Sequence, residues 1–282
     1  MLSIVNELRR PAALIAVMAG AGTLLALLGC RQPAAMENAG GQDSVRLDIQ
    51  MREGGIIRGP TASRRLAIVF TGHSYAEGGE VILKELARHK AKASFFFTGD
   101  FLTNADFEPL VRRIVREGHY LGPHSDKHLL YCPWEGPKTT LITHAEFQAD
   151  LESNLRKIER CGIKRARIRY FLPPYEHYNQ QIVDWARAMS LALVNLTPGT
   201  RSSADYTGEA DRNFVSSQAI YDSIIRKEQQ DPNGLNGFIL LLHIGSGPGR
   251  ADKFHARFGE LLDYLVGKGY QFVRVDELVG GK

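Results

Sequence analysis

Basic runs are missing from this 282-residue sequence, and with them any interleaving of lysine or arginine with aromatic residues. A formal charge of +4, from 35 basic and 31 acidic residues, is too small and too dispersed to track a phosphate backbone, which excludes a nucleic-acid partner. Cysteine is scarce as well, with three in all and only Cys132 and Cys161 beyond Cys30. In an oxidising compartment those two can pair, and two unpaired buried thiols fit the sequence as well. Long apolar runs are confined to residues 12–28. That run follows Arg9 and Arg10 and stops at Gly29 and Cys30, the layout of a secretory leader with a basic start, an apolar centre and small residues at its end.

The ending Leu27-Leu28-Gly29-Cys30 resembles a bacterial lipobox, which implies that residues 1–29 are a lipoprotein signal peptide and that Cys30 carries the lipid. An uncleaved transmembrane anchor is the other reading of the same run, and both put the remaining chain at the cell envelope, outside the cytoplasm. Removing Glu7, Arg9 and Arg10 with the leader takes +4 to +3. Residues 30–63 begin CRQPAAMENAGGQD, rich in Pro, Ala, Gly and Asn with no apolar period, and read as a flexible tether. Folding is then expected to begin near Arg64, with residues 64–282 as one domain. The sequence specifies no oligomeric state.

From there apolar runs alternate with helical segments. Seven strands are expected, in LAIVFTG (66–72), ASFFFTG (93–99), HYLGPHS (119–125), RYFLPP (169–174), LALVNLTPG (191–199), NGFILLLHIG (236–245) and QFVRVDELV (271–279). The runs FILLL and ASFFF are continuously apolar, as strands buried on both faces require. Between the third and fourth, Thr143 and Glu146 are spaced as a capping box ahead of Phe147, Leu151, Leu155 and Ile158 at helical spacing. This alternation is that of an α/β fold, a parallel (β/α) barrel or an open doubly wound sheet. In either, chemistry gathers where strands end: Thr71 to Glu77, His124 to His128, Pro173 to Tyr178, Pro198 to Asp205, and His243 to Gly247.

In GPHSDKHLL, His124 and His128 are four residues apart, so on a helical turn both imidazoles face one way and can converge on a divalent ion. A structural zinc site needs further ligands, which this stretch does not contain. His243 closes an otherwise apolar strand, where a buried imidazole must find hydrogen-bonding partners.

These elements, in this order, resemble the polysaccharide deacetylases, the NodB-homology group or carbohydrate esterase family four. The resemblance runs over roughly residues 64–278 and rests on ASFFFTG, on His124-Ser125 with His128, on Pro173-Pro174-Tyr175 after RYFL, and on Leu241-Leu242-His243. It implies a distorted (β/α) barrel of seven strands, a divalent metal, usually zinc, and removal of N- or O-linked acetyl groups from an acetylated carbohydrate. It further implies His124 and His128 as metal ligands, His243 as the general acid, and the Tyr175 backbone N–H as an oxyanion donor.

The chain departs from the family in two places. Where the family has an aromatic residue followed by two aspartates, the base and a metal ligand, this chain reads Phe70-Thr71-Gly72-His73, and the arginine that holds the base is Leu172. Both partners of one interaction are replaced together, which avoids an arginine left without its carboxylate. His73 is then the candidate third ligand, in a loop whose glycines let it bend. For the base the candidates are Glu176, where the family usually has glycine, and Glu77. Asp205 is the candidate partner of His243, and Asp126 at most orients a ligand histidine. Tyr75, Tyr131, Trp134, Tyr178 and Tyr206 are available to stack on sugar rings or to pack loops. Three functions fit: a metal-dependent carbohydrate deacetylase, an inactive carbohydrate-binding protein on the same fold, and a hydrolase of another amide or ester.

Overall fold

Residues 48–280 are described by a computed structural model of the chain. The continuously apolar runs become parallel strands buried on both faces, as expected for segments that carry no polar side. In chain order the elements are β1 (Gln50–Arg52), β2 (Gly55–Arg58), β3 (Arg65–Gly72), α1 (Gly79–Arg88), β4 (Ser94–Phe97), α2 (Gly99–Thr103), α3 (Glu108–Arg116), β5 (Tyr120–Pro123) and α4 (His144–Arg160). They continue as β6 (Tyr170–Phe171), α5 (Gln180–Ala188), β7 (Ala192–Leu193), α6 (Ser217–Gln230), β8 (Ile239–His243), α7 (Phe258–Gly267), β9 (Gln271–Phe272) and α8 (Val275–Val279).

The central sheet runs β5-β4-β3-β8, all parallel, with β9 paired to the start of β3. β6 and β7 form a second parallel pair. Two backbone hydrogen bonds join the two: Leu172 N–H donates to Pro123 O at 3.2 Å, and Thr197 N–H donates to Ile239 O at 3.0 Å. The ring of strands is therefore a distorted (β/α) barrel, stitched at two seams rather than laddered throughout.

Alternation along the strands sorts side chains into two layers. Leu66, Ile68 and Phe70 of β3 point outward with Phe95, Phe97, Leu240 and Leu242 into the layer beneath the helices. Ala67, Val69, Phe96, Ile239 and Leu241 point inward, where Val275, Leu278 and Val279 of α8 fill the amino end of the barrel. Parity then puts Thr71 and His243, the next inward positions of adjacent strands, side by side at the carboxyl end.

Several expectations are corrected here. Residues 50–58 are not tether: β1 and β2 form an antiparallel hairpin through Glu53 and Gly54, both at positive φ, so the folded unit begins well before Arg64. Arg58 is buried, donating to Asp231 at 3.0 Å and to the carbonyls of Asn236 and Gly234. The seventh expected strand is short, because Val275–Val279 turns into α8 to plug the barrel. Cys132 and Cys161 are both free thiols. The capping box is present at α4, with Thr143 Oγ1 accepting from Glu146 N–H and the Glu146 carboxylate accepting from Thr143 N–H. The expected signal peptide, Cys30 and the start of the tether lie outside the described residues, and among the described residues no helix is long and apolar enough to cross a membrane.

Replacing Arg58 by Ala leaves Asp231 short of one buried partner and two carbonyls unpaired, a loss expected to cost about 3 kcal/mol. Urea denaturation of Arg58→Ala against wild type measures it, and a midpoint unmoved would mean that the hairpin is not part of the folding unit.

Candidate active site

At the carboxyl end of the strands a cavity of about 450 Å³ is lined by Thr71, His73, His124, His128, Tyr175, Glu176 and His243, with Tyr75, Trp134 and Tyr206 at its edge. Six of the residues proposed from sequence, His73, His124, His128, Tyr175, Glu176 and His243, come together here, and Asp205 stands directly behind His243. Asp205 Oδ1 lies 2.6 Å from His243 Nδ1, and Asp205 Oδ2 accepts from the His243 N–H at 2.8 Å. Two bonds to one carboxylate fix the ring and leave Nε2 for the cavity. Burial works against a charged His243, but the Asp205 carboxylate outweighs it and lifts the pKa above the usual histidine value.

The histidine loop is built differently from the expected helical turn. Residues 124–130 are irregular, and Ser125 and His128 adopt φ of 68° and 56°. What shapes the loop is α4. Asp150 accepts from Ser125 Oγ and the Asp126 N–H, both at 2.8 Å, and from the Lys127 N–H at 2.9 Å. Asn154, one turn on, accepts from His124 N–H at 3.0 Å and donates to Phe97 O at 3.1 Å. Lys157, the next in this stripe, pairs with Asp126 at 2.7 Å, so Asp126 orients no histidine. Asp150 and Asn154 escaped the sequence reading because they sit among the apolar positions of α4; two polar residues at i and i+4 on that buried face were the available signal.

His124 Nδ1–H donates to Leu172 O at 2.8 Å, which leaves Nε2 as its free nitrogen. Burial, reinforced by the neighbouring imidazoles, keeps His124 far below the usual histidine pKa and brings His128 to about 4, so both are the neutral form that binds metals. His73 Nδ1 lies 3.1 Å from Thr98 Oγ1, the hydroxyl that also caps α2. Its ring stacks on His128 at a centroid distance of 4.8 Å, and the rings of His124 and His128 are 5.1 Å apart. The chemistry of this donor set fits a divalent ion, two neutral imidazoles with a third beside them. Its placement is stacked rather than convergent: among the described residues no three His, Cys, Asp or Glu side chains meet at one point as a bound ion requires.

No room exists for the family's ligand aspartate at Gly72. A Cβ there would lie 2.8 Å from Ile244 Cγ2 and Phe97 Cδ1 and 2.9 Å from Phe101 Cε2. Leu172, in the place of the arginine, is wholly buried within the barrel.

Tyr175 and Glu176 both occupy the left-handed region, with φ of 58° and 54°. Glycine adopts that conformation without strain, which accounts for the glycine that the family carries at Glu176. The turn is held by the Glu176 and His177 N–H groups donating to Pro173 O and Pro174 O, and by Asn195 Nδ2 donating to Glu176 O at 2.8 Å. Among the described residues no acceptor engages the Tyr175 N–H. Desolvation, with Asp205 adding to it and His243 opposing it, pushes Glu176 up to about 7. Glu77 is committed elsewhere: it accepts from the N–H groups of Ser246 and Gly247 and from Lys253 at 2.7 Å, and does not line the cavity. Burial alone would raise its pKa, yet these donors hold it below the usual carboxylate value.

Of the aromatic residues, Tyr75, Trp134 and Tyr206 are exposed at the rim, Trp134 at 62 %. Tyr131 and Tyr178 are buried packing residues instead. His177 donates to Pro133 O at 2.9 Å and stacks under Trp134, so it supports the rim rather than facing the cavity.

Comparison with known proteins places this geometry. The family model for polysaccharide deacetylase matches residues 59–194. An uncharacterized 30.6 kDa protein of Geobacillus stearothermophilus is 29% identical over 209 residues, 70% of this chain and 64% of that protein, so the chain spans just under two thirds of it. A peptidoglycan-N-acetylglucosamine deacetylase of Bacillus cereus is 24% identical over 221 residues, 78% of this chain and 70% of the relative. Among solved structures, a family 4 carbohydrate esterase pseudoenzyme of Bacillus anthracis superposes with a TM-score of 0.61 at 19% identity, over 81% of this chain and 69% of that one.

Two substitutions probe the electrostatics and the packing. In Asp205→Asn the burial of His243 is opposed only by the weaker influence of Glu176, so its pKa is expected to fall from the wild-type value, which the imidazole proton shifts in an NMR titration would register. Gly72→Asp is expected to lower stability by about 3 kcal/mol through overpacking and a buried carboxylate, read as a drop in melting temperature.

Proposed function

Since the chain belongs to the polysaccharide deacetylase family, the NodB-homology group of family 4 carbohydrate esterases, we propose that it hydrolyses N- or O-linked acetyl groups on a polysaccharide or oligosaccharide of the cell envelope. The observation that carries this reading is the pairing of His243 with Asp205 in the same cavity as Glu176, an acid and a base that are both raised, the imidazole above the usual histidine value by the Asp205 carboxylate and the carboxylate to about 7 by burial. The name of the Bacillus cereus relative favours peptidoglycan as the polymer.

Glu176 is the general base. A carboxylate that titrates near 7 holds a proton firmly enough to take one from water, where an ordinary surface glutamate would not. As water oxygen bonds to the acetyl carbon, its proton passes to Glu176 and the carbonyl oxygen becomes an oxyanion, to which the Tyr175 N–H donates. His243, protonated at Nε2, gives that proton to the sugar nitrogen or oxygen as its bond to the acetyl carbon breaks. The products are acetate and the free amine or alcohol, and the proton on Glu176 restores the balance through solvent to His243. His124 and His128 would hold a divalent ion if His73 left its stack on His128 to complete the set, zinc being suited to imidazoles; bound there it would supply polarisation of the acetyl carbonyl and a more acidic water. Tyr75, Trp134 and Tyr206 offer ring faces to the sugars on either side of the acetylated unit. A lipid on Cys30, supported by the leader pattern, would keep the domain at the envelope, and Cys30→Ser should release it from membranes.

Acetate release from acetylated glycans tests the reading, with metal-stripped protein and with zinc restored. Zinc is expected to restore release. The kcat/KM profile should rise through about pH 7 as Glu176 loses its proton and fall at higher pH as His243 loses its own. Glu176→Gln should remove the rising limb and about 100-fold or more of the rate. No release from any acetylated glycan would favour the inactive carbohydrate-binding protein, the reading to which Thr71 and the sealed position at Gly72 incline.

A further inference from the structure

Thr71 is the last inward residue of β3, directly in register with His243 of β8 and with Phe96 of β4. It is 1% exposed, it lines the cavity, and its Oγ1 has no hydrogen-bond partner among the described residues. Buried hydroxyls are almost always paired, and one left alone costs stability that a valine of the same shape would not. The outer layer offers Thr71 no partner, because strand parity turns its neighbours Phe70 and Gly72 to that side. Its hydroxyl therefore faces the one polar space nearby.

Other polar atoms open onto the same space. His243 has spent Nδ1 on Asp205 and presents Nε2. His124 has spent Nδ1 on Leu172 O and presents its other nitrogen. The Glu176 carboxylate also lines the cavity, and among the described residues no hydrogen bond engages it. A water molecule is held firmly where two to four polar groups surround it, and Thr71, His124, Glu176 and His243 all line this one cavity.

We propose that Thr71 is a further catalytic residue, whose hydroxyl oxygen holds the attacking water for Glu176. The water gives one proton's hydrogen bond to Thr71 Oγ1 and the other to the Glu176 carboxylate, which leaves an oxygen lone pair for the acetyl carbon. When that oxygen bonds to carbon, only the proton facing Glu176 transfers, and Thr71 keeps its own. The water site follows from the orphaned hydroxyl alone, while the reaction it serves rests on the deacetylase reading above.

The test compares wild type, Thr71→Val and Thr71→Ser in the full-length protein, by crystallography at a resolution that shows ordered water and by acetate release with zinc present. Expected is a water within hydrogen-bond distance of Thr71 Oγ1 in wild type and none at that place in Thr71→Val. In kinetics Thr71→Val should lose about tenfold or more in kcat with KM unchanged, Thr71→Ser should recover most of it, and the limb of the pH profile that belongs to Glu176 should persist. A KM effect alone, a Thr71 hydroxyl found bonded to the protein instead, or full kcat in Thr71→Val would overturn the role of Thr71 and leave the deacetylase reading standing. Wild type that binds the water yet releases acetate from no glycan would overturn that reading, and the catalytic role with it.

Discussion

The parallel register of β3 against β8, with Thr71 opposite His243, is the constraint from which the site follows. Because side chains alternate strictly along each strand, a slip of one residue would send both to the helix layer and bring Phe70 and Leu242 into the cavity. The register is held from below by the interior layer of Ala67, Val69, Ile239 and Leu241, closed by α8. Apolar packing at one end of the barrel thus fixes polar chemistry at the other.

The remaining side chains reach the cavity on loops, and each loop is held by a polar residue from a neighbouring element. Asp150 and Asn154 of α4 hold the histidine loop, Asn195 holds the turn at Glu176, and Glu77 with Lys253 ties the loop after β3 to the loop after β8. Arg250, fully buried, does the same for the segment that carries Asp205, donating to Thr207 O, Val215 O and Ser217 Oγ. Such bonds are worth more in a buried setting than at the surface, so the loops sit with the rigidity of the barrel.

The parts legible in the sequence were those with a period or a run. Seven strand positions and the main helices are carried by apolar stretches, and His243 was exposed as a candidate by being the one polar residue at the end of such a run. The β1–β2 hairpin was missed because Gln50, Met51 and Arg52 are all exposed and show no alternation; Glu53-Gly54 between two short segments was its one signal. Glu77 and Glu176 were indistinguishable as letters, since only the fold decides which carboxylate meets backbone amides and which meets the cavity. Likewise the helical reading of His124 and His128 rested on spacing alone, and spacing is silent about a loop whose direction is set by side chains 25 residues further on.

The close packing around Gly72 bears on how the site can be altered. Ile244, Phe97 and Phe101 fill the space where an aspartate side chain would stand, so introducing one requires three neighbours from three separate segments to give way together. Each such retreat would open a hole in the layer beneath the helices before it brought any gain. A change of chemistry in this cavity is therefore easier to make with the side chains that already line it than by adding one at Gly72.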